Sequence, residues 1–244
     1  DRFGYLIPHR YGNLPMVGAV ATYRPGEGRF GGAVAVEEGT KNFILEPESQ
    51  VHSWRGTVGI DSEQTFRGST VFFANGTATG GGLCWSCANG ELVLAPGEKA
   101  TFTVWANKGT ANVMPNIYVQ GFLWDGTNWI HKDPITGLLG NTTRFFNEKG
   151  EQIPGPLEGG WYKVERSMTN VQSEPIKLTS NWFFISSSFT SGTCYFSQPH
   201  LEKKPFATSF VDGTRPDGIL AYPIALKDDY TIVCYRKSHT DEGY

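Results

Sequence analysis

The chain has 244 residues, of which 30 are Gly and 14 are Pro; 14% are aromatic and only 18% are charged. This composition is typical of a globular protein built from short strands and tight turns, and the length suffices for one large β-sandwich core. A net charge of −3 gives no attraction to nucleic acid or to an anionic membrane surface, and no run of 18 apolar residues predicts membrane insertion, so neither is an expected partner.

The N-terminal segment predicts strands that lie outside the main domain. Residues 6–23 and 29–36 have the composition of strands, and the Pro- and Gly-containing residues 24–28 between them predict a turn. We interpret residues 1–40 as an N-terminal arm or as the last strands of a preceding sandwich.

The central part of the chain predicts strands about every ten residues. They fall at residues 64–74, 91–94, 99–106, 117–124, 161–168, 176–186 and 194–196. In the segment 99–106, alternation places Phe102, Val104 and Ala106 on one face. Asn75-Gly76, Pro96-Gly97 and Asp125-Gly126 predict turns, residues 80–90 a Gly-rich loop, and residues 133–160 a looser region.

No window of ten residues shows a capped helical period, so helix should be minor. We therefore expect an all-β fold, an antiparallel β-sandwich of the jelly-roll kind with extended flanking strands. The strands of residues 218–237 cannot complete a core of their own. They must pair with the central module, with the N-terminal arm or with another chain.

Common catalytic signatures are absent from the sequence. There is no G-x-S-x-G, H-E-x-x-H or P-loop, and the formal G-x-G-x-x-G at residues 26–31 precedes an extended run rather than a helix. A glycosidase needs two suitably spaced carboxylates, but no pair stands out among the candidates, Asp125, Asp133, Glu148, Glu158 and Glu165. We expect no enzymatic activity.

The tryptophans are the strongest functional signal. A pyranose ring packs its C–H face on an indole, while neighbouring amides and carboxylates bind its hydroxyls. Trp105, Trp161 and Trp182 lie in strand-like runs and are predicted to be core, whereas Trp124 and Trp129 flank a turn and Trp85 lies in the Gly-rich loop. The predicted glycan-binding surface comprises Trp85, Tyr118, Trp124, Asp125, Asn128, Trp129 and His131.

The four cysteines give a weaker signal. Cys84 and Cys87 form one C-x-x-C, while Cys194 and Cys234 are distant and the five His are scattered, so a structural zinc site is not favoured. Free thiols, or a local Cys84–Cys87 bridge, are the alternatives.

Two junction segments, RFGGAVAVEEGTKNFI at residues 29–44 and GTCYFSQPHLEKKPFATSFVDGTRP at 192–216, carry a family resemblance. Both are similar to module boundaries in multimodular bacteriophage tail-fibre and minor structural proteins. The resemblance implies a jelly roll similar to carbohydrate-binding modules at residues 41–204. It also implies that residues 205–244 form a linker and the opening strands of an incomplete lectin-like, concanavalin A-like sandwich.

The resemblance further implies a function. It predicts a non-catalytic structural or adhesion protein on the virion exterior or another extracellular surface, with cell-surface carbohydrate and other virion proteins or copies of itself as partners. Jelly rolls of this kind often hold a structural calcium ion, here matched by Glu48 and Glu202. Two alternatives remain: a carbohydrate-binding module of a secreted bacterial glycoside hydrolase, and an architectural spacer or decoration protein without a ligand.

Overall fold

A computed structural model describes residues 16–17, 21–25, 32–36, 40–44, 47–78, 80–87, 92–132, 136–185, 189–208, 210, 214–215 and 219–220. The chain divides into two compact units, Asn42–Gly213 and a second unit comprising Asp1–Lys41 with Thr214–Tyr244. The predicted module at residues 41–204 lies almost wholly within the first unit, and its assignment as a separate domain stays a prediction.

The described residues are almost entirely strand. Their strands, in chain order, are β1 (Met16–Val17), β2 (Ala21–Pro25), β3 (Gly32–Val36), β4 (Thr40–Lys41), β5 (Val51–Arg55), β6 (Thr57–Phe66), β7 (Ser69–Asn75), β8 (Gly81–Ser86), β9 (Leu92–Leu94), β10 (Lys99–Asn107), β11 (Asn116–Trp124), β12 (Trp129–Lys132), β13 (Leu139–Phe146), β14 (Gln152–Ile153), β15 (Trp161–Asn170), β16 (Ile176–Ile185), β17 (Thr193–Glu202), β18 (Thr214–Arg215) and β19 (Ile219–Leu220). The helical residues described are α1 (Pro47–Gln50) and a 3₁₀ turn at Thr136–Leu138. None of the described helices is long or apolar enough to cross a membrane.

The unit Asn42–Gly213 is a sandwich of two antiparallel sheets. One sheet has seven strands in the order β14-β13-β15-β10-β17-β7-β6, and the other has the order β12-β11-β16-β8-β5, with β9 also paired to β16. Side chains from both sheets form one buried cluster, in which the largest strand residues are Phe72, Trp85, Phe102, Tyr162 and Phe196. The predicted all-β antiparallel sandwich is confirmed.

Alternation along β10 places the core as predicted. Phe102, Val104 and Ala106 are all buried in the inter-sheet cluster. The intervening Trp105 therefore lies on the opposite, outer face of the seven-stranded sheet, and it belongs to a second, smaller cluster. The sandwich thus has an outer face on each sheet that can carry function.

Three of the predicted elements are wrong. The looser region predicted at residues 133–160 contains the strands β13 and β14. The segment 64–74 is not one strand, because Arg67 and Gly68 adopt positive φ values of 52° and 76° and turn the chain between β6 and β7. The Gly-rich loop predicted at residues 80–90 contains strand β8, which pairs with both β5 and β16. Its glycines predicted a loop, yet Gly81 and Gly82 are buried strand residues.

The second unit is described only through short strands. β2 and β3 form a hairpin, β1 pairs with β19, and β4 pairs with β18. The sequence left three possible pairing partners for the C-terminal strands. In the described residues, the C-terminal strands β18 and β19 pair with the N-terminal segment. The rest of the strands predicted at residues 6–23 and 218–237, and Cys234, lie outside the described residues.

Candidate functional site

The β11–β12 hairpin carries a cluster of aromatic and cationic side chains on the outer face of its sheet. We call this cluster the hairpin surface and define it by Phe122, Trp124, Trp129, His131 and Lys177. Trp124 is the cross-strand partner of Trp129, while Phe122 pairs with His131 on one side and with Lys177 on the other. Alternation directs the neighbouring Leu123 to the opposite face, where it packs on the core.

The rings of the hairpin surface contact one another directly. The Trp124 and Trp129 ring centroids lie 5.3 Å apart at an interplanar angle of 62°, and Phe122 and His131 lie 5.3 Å apart at 60°. The Lys177 ammonium lies 5.0 Å from the Trp129 centroid and 5.2 Å from the Phe122 centroid. Both Trp side chains are half-buried and His131 is exposed. The surface therefore offers accessible indole beside a cation.

The turn between the two tryptophans is held by Asp125. Its Oδ1 accepts hydrogen bonds from the backbone N–H groups of Thr127 and Asn128, at 2.8 and 2.7 Å, and these bonds lower the pKa of its carboxyl group. Asp125 N–H also donates to Asn128 O at 3.0 Å. Asp125 and Asn128 are exposed at the tip, and Asp125 fixes the hairpin that brings the two indoles together.

The structure brings together most, but not all, of the predicted glycan residues. Trp124, Asp125, Asn128, Trp129 and His131 all belong to the β11–β12 hairpin. Tyr118 belongs to β11 as well, but its side chain lies outside what the structure describes.

The prediction for Trp85 is wrong. Its side chain is 0% exposed and packs edge-on against Phe72 at 5.3 Å and Phe196 at 6.4 Å in the inter-sheet core. The physical reason is the strand β8, where alternation directs Leu83 and Trp85 inward. Trp85 cannot contact a glycan in this fold.

A second aromatic cluster, which the sequence reasoning missed, lies on the outer face of the seven-stranded sheet. We call it the sheet surface and define it by Phe66, Trp105, Trp161 and Tyr195, with Arg67 above them. Phe66 stacks on Trp161 at 4.2 Å and 25°, and the Arg67 guanidinium lies 4.2 Å from the Trp105 centroid. Trp105 is 7% exposed, whereas Trp161 and Tyr195 are half-buried.

An ionic cluster continues the sheet surface on the neighbouring strands. Lys163 is the cross-strand partner of Trp105, and its ammonium lies 4.6 Å from the Phe146 ring centroid. Glu165 is buried, forms an ion pair with Arg144 and lies 4.0 Å from the Lys163 ammonium. Aromatic and charged groups therefore lie side by side on this face.

A signal for the sheet surface was present in the sequence. The alternation that places Phe102, Val104 and Ala106 in the core necessarily places Trp105 outside it. Trp105 and Trp161 were both predicted to be core because they lie in strand-like runs; the structure buries Trp105 in a separate outer cluster and leaves Trp161 half-buried. The side chain of Trp182 lies outside the described residues.

The two predicted calcium ligands have different surroundings. Glu48 is exposed on α1, whereas Glu202 is 1% exposed and accepts hydrogen bonds from Thr208 N–H at 2.7 Å and Thr208 Oγ1 at 2.9 Å. His200 Nδ1 lies 3.8 Å from Glu202 Oε1. No cluster of three or more His, Cys, Asp or Glu side chains suited to a metal occurs within the described ranges, and the calcium site stays a prediction.

The described cysteines are free thiols, in line with the first of the two alternatives for Cys84 and Cys87. Cys84 and Cys194 are buried and Cys87 is half-buried. Burial raises the pKa of Cys84 to about 11 and that of Cys87 to about 12, and it raises the pKa of Cys194 as well. These thiols are therefore protonated at neutral pH.

Comparisons with known proteins find similarity at the level of folds. No family model and no curated protein matches the chain. A CBM22-1 xylan-binding domain of Paenibacillus barcinonensis Xyn10C is similar at 14% identity and a TM-score of 0.37, over 71% of this chain and 100% of that one. The N-terminal cellulose-binding domain of Cellulomonas fimi β-1,4-glucanase C is similar at 11% identity and a TM-score of 0.31, over 70% and 98%.

A phage protein is also among these structures. The enzymatically active domain of tailspike protein 4 of bacteriophage CBA120 is similar at 12% identity and a TM-score of 0.32, over 66% of this chain and 21% of that one. With TM-scores below 0.5, none of these likenesses bears on a ligand.

Proposed function

We propose that this protein is a non-catalytic adhesion module that binds surface glycans through its hairpin surface. The single observation that carries the proposal is the Trp124–Trp129 pair, two half-buried indoles 5.3 Å apart on the outer face of a rigid sheet. Hydrogen-bonded strands fix both residues, so little conformational entropy is lost when a ligand packs on them.

The chemistry of the hairpin surface suits a sugar. The apolar C–H face of a pyranose packs on indole and releases water. Asn128, His131 and Lys177 lie beside the tryptophan pair and can bind the hydroxyl or acidic groups of a sugar. Burial of about 100 Å² of apolar area corresponds to roughly 2.5 kcal/mol before the costs of association are counted. Binding to one sugar is therefore weak, and useful adhesion needs several copies.

The sheet surface is a second place for the same chemistry. Trp161 and Tyr195 are half-buried there, and Lys163 and the Arg144–Glu165 ion pair lie on the adjoining strands. We include this face in the proposal as a second contact surface for an extended glycan chain.

A non-catalytic role fits the carboxylates that the sequence left as candidates. Asp125 holds the hairpin turn, Glu158 forms an ion pair with Lys108, and Glu165 forms an ion pair with Arg144. Asp125 and Glu165 thus have structural roles, whereas Glu158 forms its ion pair at the surface and Glu148 is exposed. Asp133 lies outside the described residues.

The resemblance of both junctions supports a place on the exterior of a bacteriophage particle, as a tail-fibre or decoration component. The partners in that setting are other virion proteins or further copies of this chain, which supply the multivalency that weak sites need. A carbohydrate-binding module of a secreted glycoside hydrolase would present the same surface.

A glycan array tests the proposal. The intact chain and a Trp124→Ala, Trp129→Ala double variant are applied to plant and bacterial-surface glycans, and thermal melts establish that both are folded. Saturable binding that is lost in the variant is the expected result. Absence of binding by a well-folded parent would contradict the proposal and favour the architectural alternative.

A further inference from the structure

The tip of the β6–β7 hairpin lies across the sheet surface. β6 is one edge strand of the seven-stranded sheet, whereas Glu148 lies in the turn that joins β13 to β14, the strand at the other edge. Arg67 Nη2 nevertheless donates a hydrogen bond to Glu148 O at 2.5 Å. The tip therefore joins the two edges of the sheet over its outer face.

Two side chains of the tip cover the indoles beneath. Phe66 stacks on Trp161 at 4.2 Å and lies 5.2 Å from Trp105, and the Arg67 guanidinium lies 4.2 Å from the Trp105 centroid. Trp105 is only 7% exposed in consequence, although it is on an outer face. A pyranose could not reach Trp105 in this arrangement.

The turn that places Arg67 is unfavourable for an arginine. Positive φ at both central residues, 52° at Arg67 and 76° at Gly68, is the type I′ pattern, in which Asn-Gly is preferred. An arginine at this position strains the backbone. The contacts of its guanidinium with the Trp105 ring and with Glu148 O compensate for that strain.

The tip is preceded by a register break that can act as a hinge, and a cavity lies beside it. The register between β6 and β7 breaks between Asp61 and Thr65, and the intervening residues 62–64 are exposed, so the last two residue pairs are separated from the rest of the hairpin. The turn residues Gly68, Ser69 and Thr70 also line a cavity of about 190 Å³, and a Cβ at Gly68 would meet no atom within 4 Å. Ser69 Oγ accepts a hydrogen bond from Gln198 Nε2 and Thr70 O accepts one from Ser197 Oγ, so these two residues anchor the base of the tip. Opening would displace Phe66 and Arg67 from the outer cluster and would leave the inter-sheet core in place.

We propose that the Phe66–Arg67 tip is a latch that closes the sheet surface, and that a glycan gains access to Trp105 and to the face of Trp161 beneath Phe66 only when the latch opens. This inference rests on the proposed function for the identity of the ligand, but the latch itself does not depend on it. Arg67 is a positioning residue, because it acts by covering Trp105 and by holding the opposite edge of the sheet.

Hydroxyl-radical labelling of the intact protein, read at each tryptophan by peptide mapping, tests the latch without any ligand. The variant Arg67→Asn removes the guanidinium contacts and places a favoured residue in the turn, so the fold is retained. Lys149→Asn, which removes the same charge from an exposed position on the facing turn, is the matched control. The labelling of the buried Trp85 is the internal standard.

We expect Arg67→Asn to raise the labelling of both Trp105 and Trp161 at least threefold, with Lys149→Asn and Trp85 unchanged. Trp161 labelling that stays at the parental level would overturn the latch, because Phe66, and not the arginine side chain that the substitution removes, stacks on Trp161. On the glycan array, Arg67→Asn in the Trp124→Ala, Trp129→Ala background should bind where the double variant does not. Raised labelling without that binding would support the latch and contradict a glycan role for the sheet surface.

Discussion

The tryptophans of this protein have different structural roles, so replacing each one should lower the free energy of unfolding by a different amount. Trp85→Ala opens a cavity among Phe72, Phe196 and their neighbours in the core, so we expect the free energy of unfolding to fall by about 3–5 kcal/mol. Trp129→Ala removes a half-buried ring from an outer face and should cost about 1 kcal/mol. Urea denaturation of both variants measures the difference.

The comparison of these two variants also tests which tryptophan lies in the core and which lies on the surface. A small loss for Trp85→Ala, or a loss as large for Trp129→Ala, would contradict the assignment of the first to the core and the second to the surface.

A buried thiol should make stability depend on pH in the alkaline range. Burial raises the pKa of Cys84 from 9.0 to about 11, so the unfolded chain loses this proton at a lower pH than the folded one. The stabilisation is fully present below pH 9 and is lost as the pH rises to about 11, with a size of up to about 2–3 kcal/mol. Denaturation at pH 8 to 11 measures it.

The variant Cys84→Ala is the control for that pH dependence, because Lys and Tyr side chains titrate in the same range. The parent should lose more stability than the variant between pH 9 and 11. Parallel pH curves for the two proteins would show that the Cys84 proton does not contribute.

At the scale of single elements, alanine substitutions at two turn glycines distinguish the effect of backbone strain on stability from the effect of a steric clash. Gly126 has φ +97°, and a Cβ at this position would meet no atom within 4 Å, so Gly126→Ala should cost about 1–2 kcal/mol from backbone strain alone. At Gly192, φ is +84° and a Cβ would lie 2.0 Å from Thr110 O. We expect Gly192→Ala to lower the free energy of unfolding by more than twice as much as Gly126→Ala does.

Thermal and urea unfolding of the two glycine variants provides the measurement. Equal losses would show that the close approach of Gly192 to Thr110 is relieved by a small backbone shift.

The elements that sequence could predict are those in which local pattern and tertiary pairing agree. Alternation in β10, Asp125-Gly126 between β11 and β12, and Pro96-Gly97 before β10 each specify their structure locally. β8 has no such pattern, because its glycines and its buried Cys84 and Trp85 are held between β5 and β16 from distant parts of the chain.

The candidate site also contains one part that local sequence specifies and one part that depends on the whole fold. The hairpin surface was predictable because both tryptophans flank one turn, so proximity in sequence gives proximity in space. The sheet surface joins Phe66, Trp105, Trp161 and Tyr195 from four strands whose order is set by the whole fold. Their alternation indicated which side they face, but not that they meet.

At the scale of the whole molecule, the unit Asn42–Gly213 has its own core and its own first-to-last contact. The buried Asn42 side chain donates to Pro199 O at 3.2 Å and accepts from Leu201 N–H at 3.0 Å, and Phe43 N–H donates to Leu201 O at 2.8 Å. The segment that opens this unit is thus tied to the strand that closes it, as in an independent domain.

A fragment of residues 42–213 should therefore unfold in one cooperative transition and keep the glycan binding of the intact chain. Calorimetry and the glycan array measure the two properties. A fragment that does not fold, with an intact chain that does, would show that the strands paired outside this unit are needed for its stability.

The most direct test of the central claim is to follow the indole N–H resonances of the seven tryptophans by NMR, assigned through single Trp→Phe variants. The tightest-binding oligosaccharide on the array is titrated into the intact chain. The account predicts that the Trp124 and Trp129 resonances shift with one saturation curve while Trp85 stays unchanged. Unchanged Trp124 and Trp129 resonances in the presence of bound oligosaccharide would contradict it.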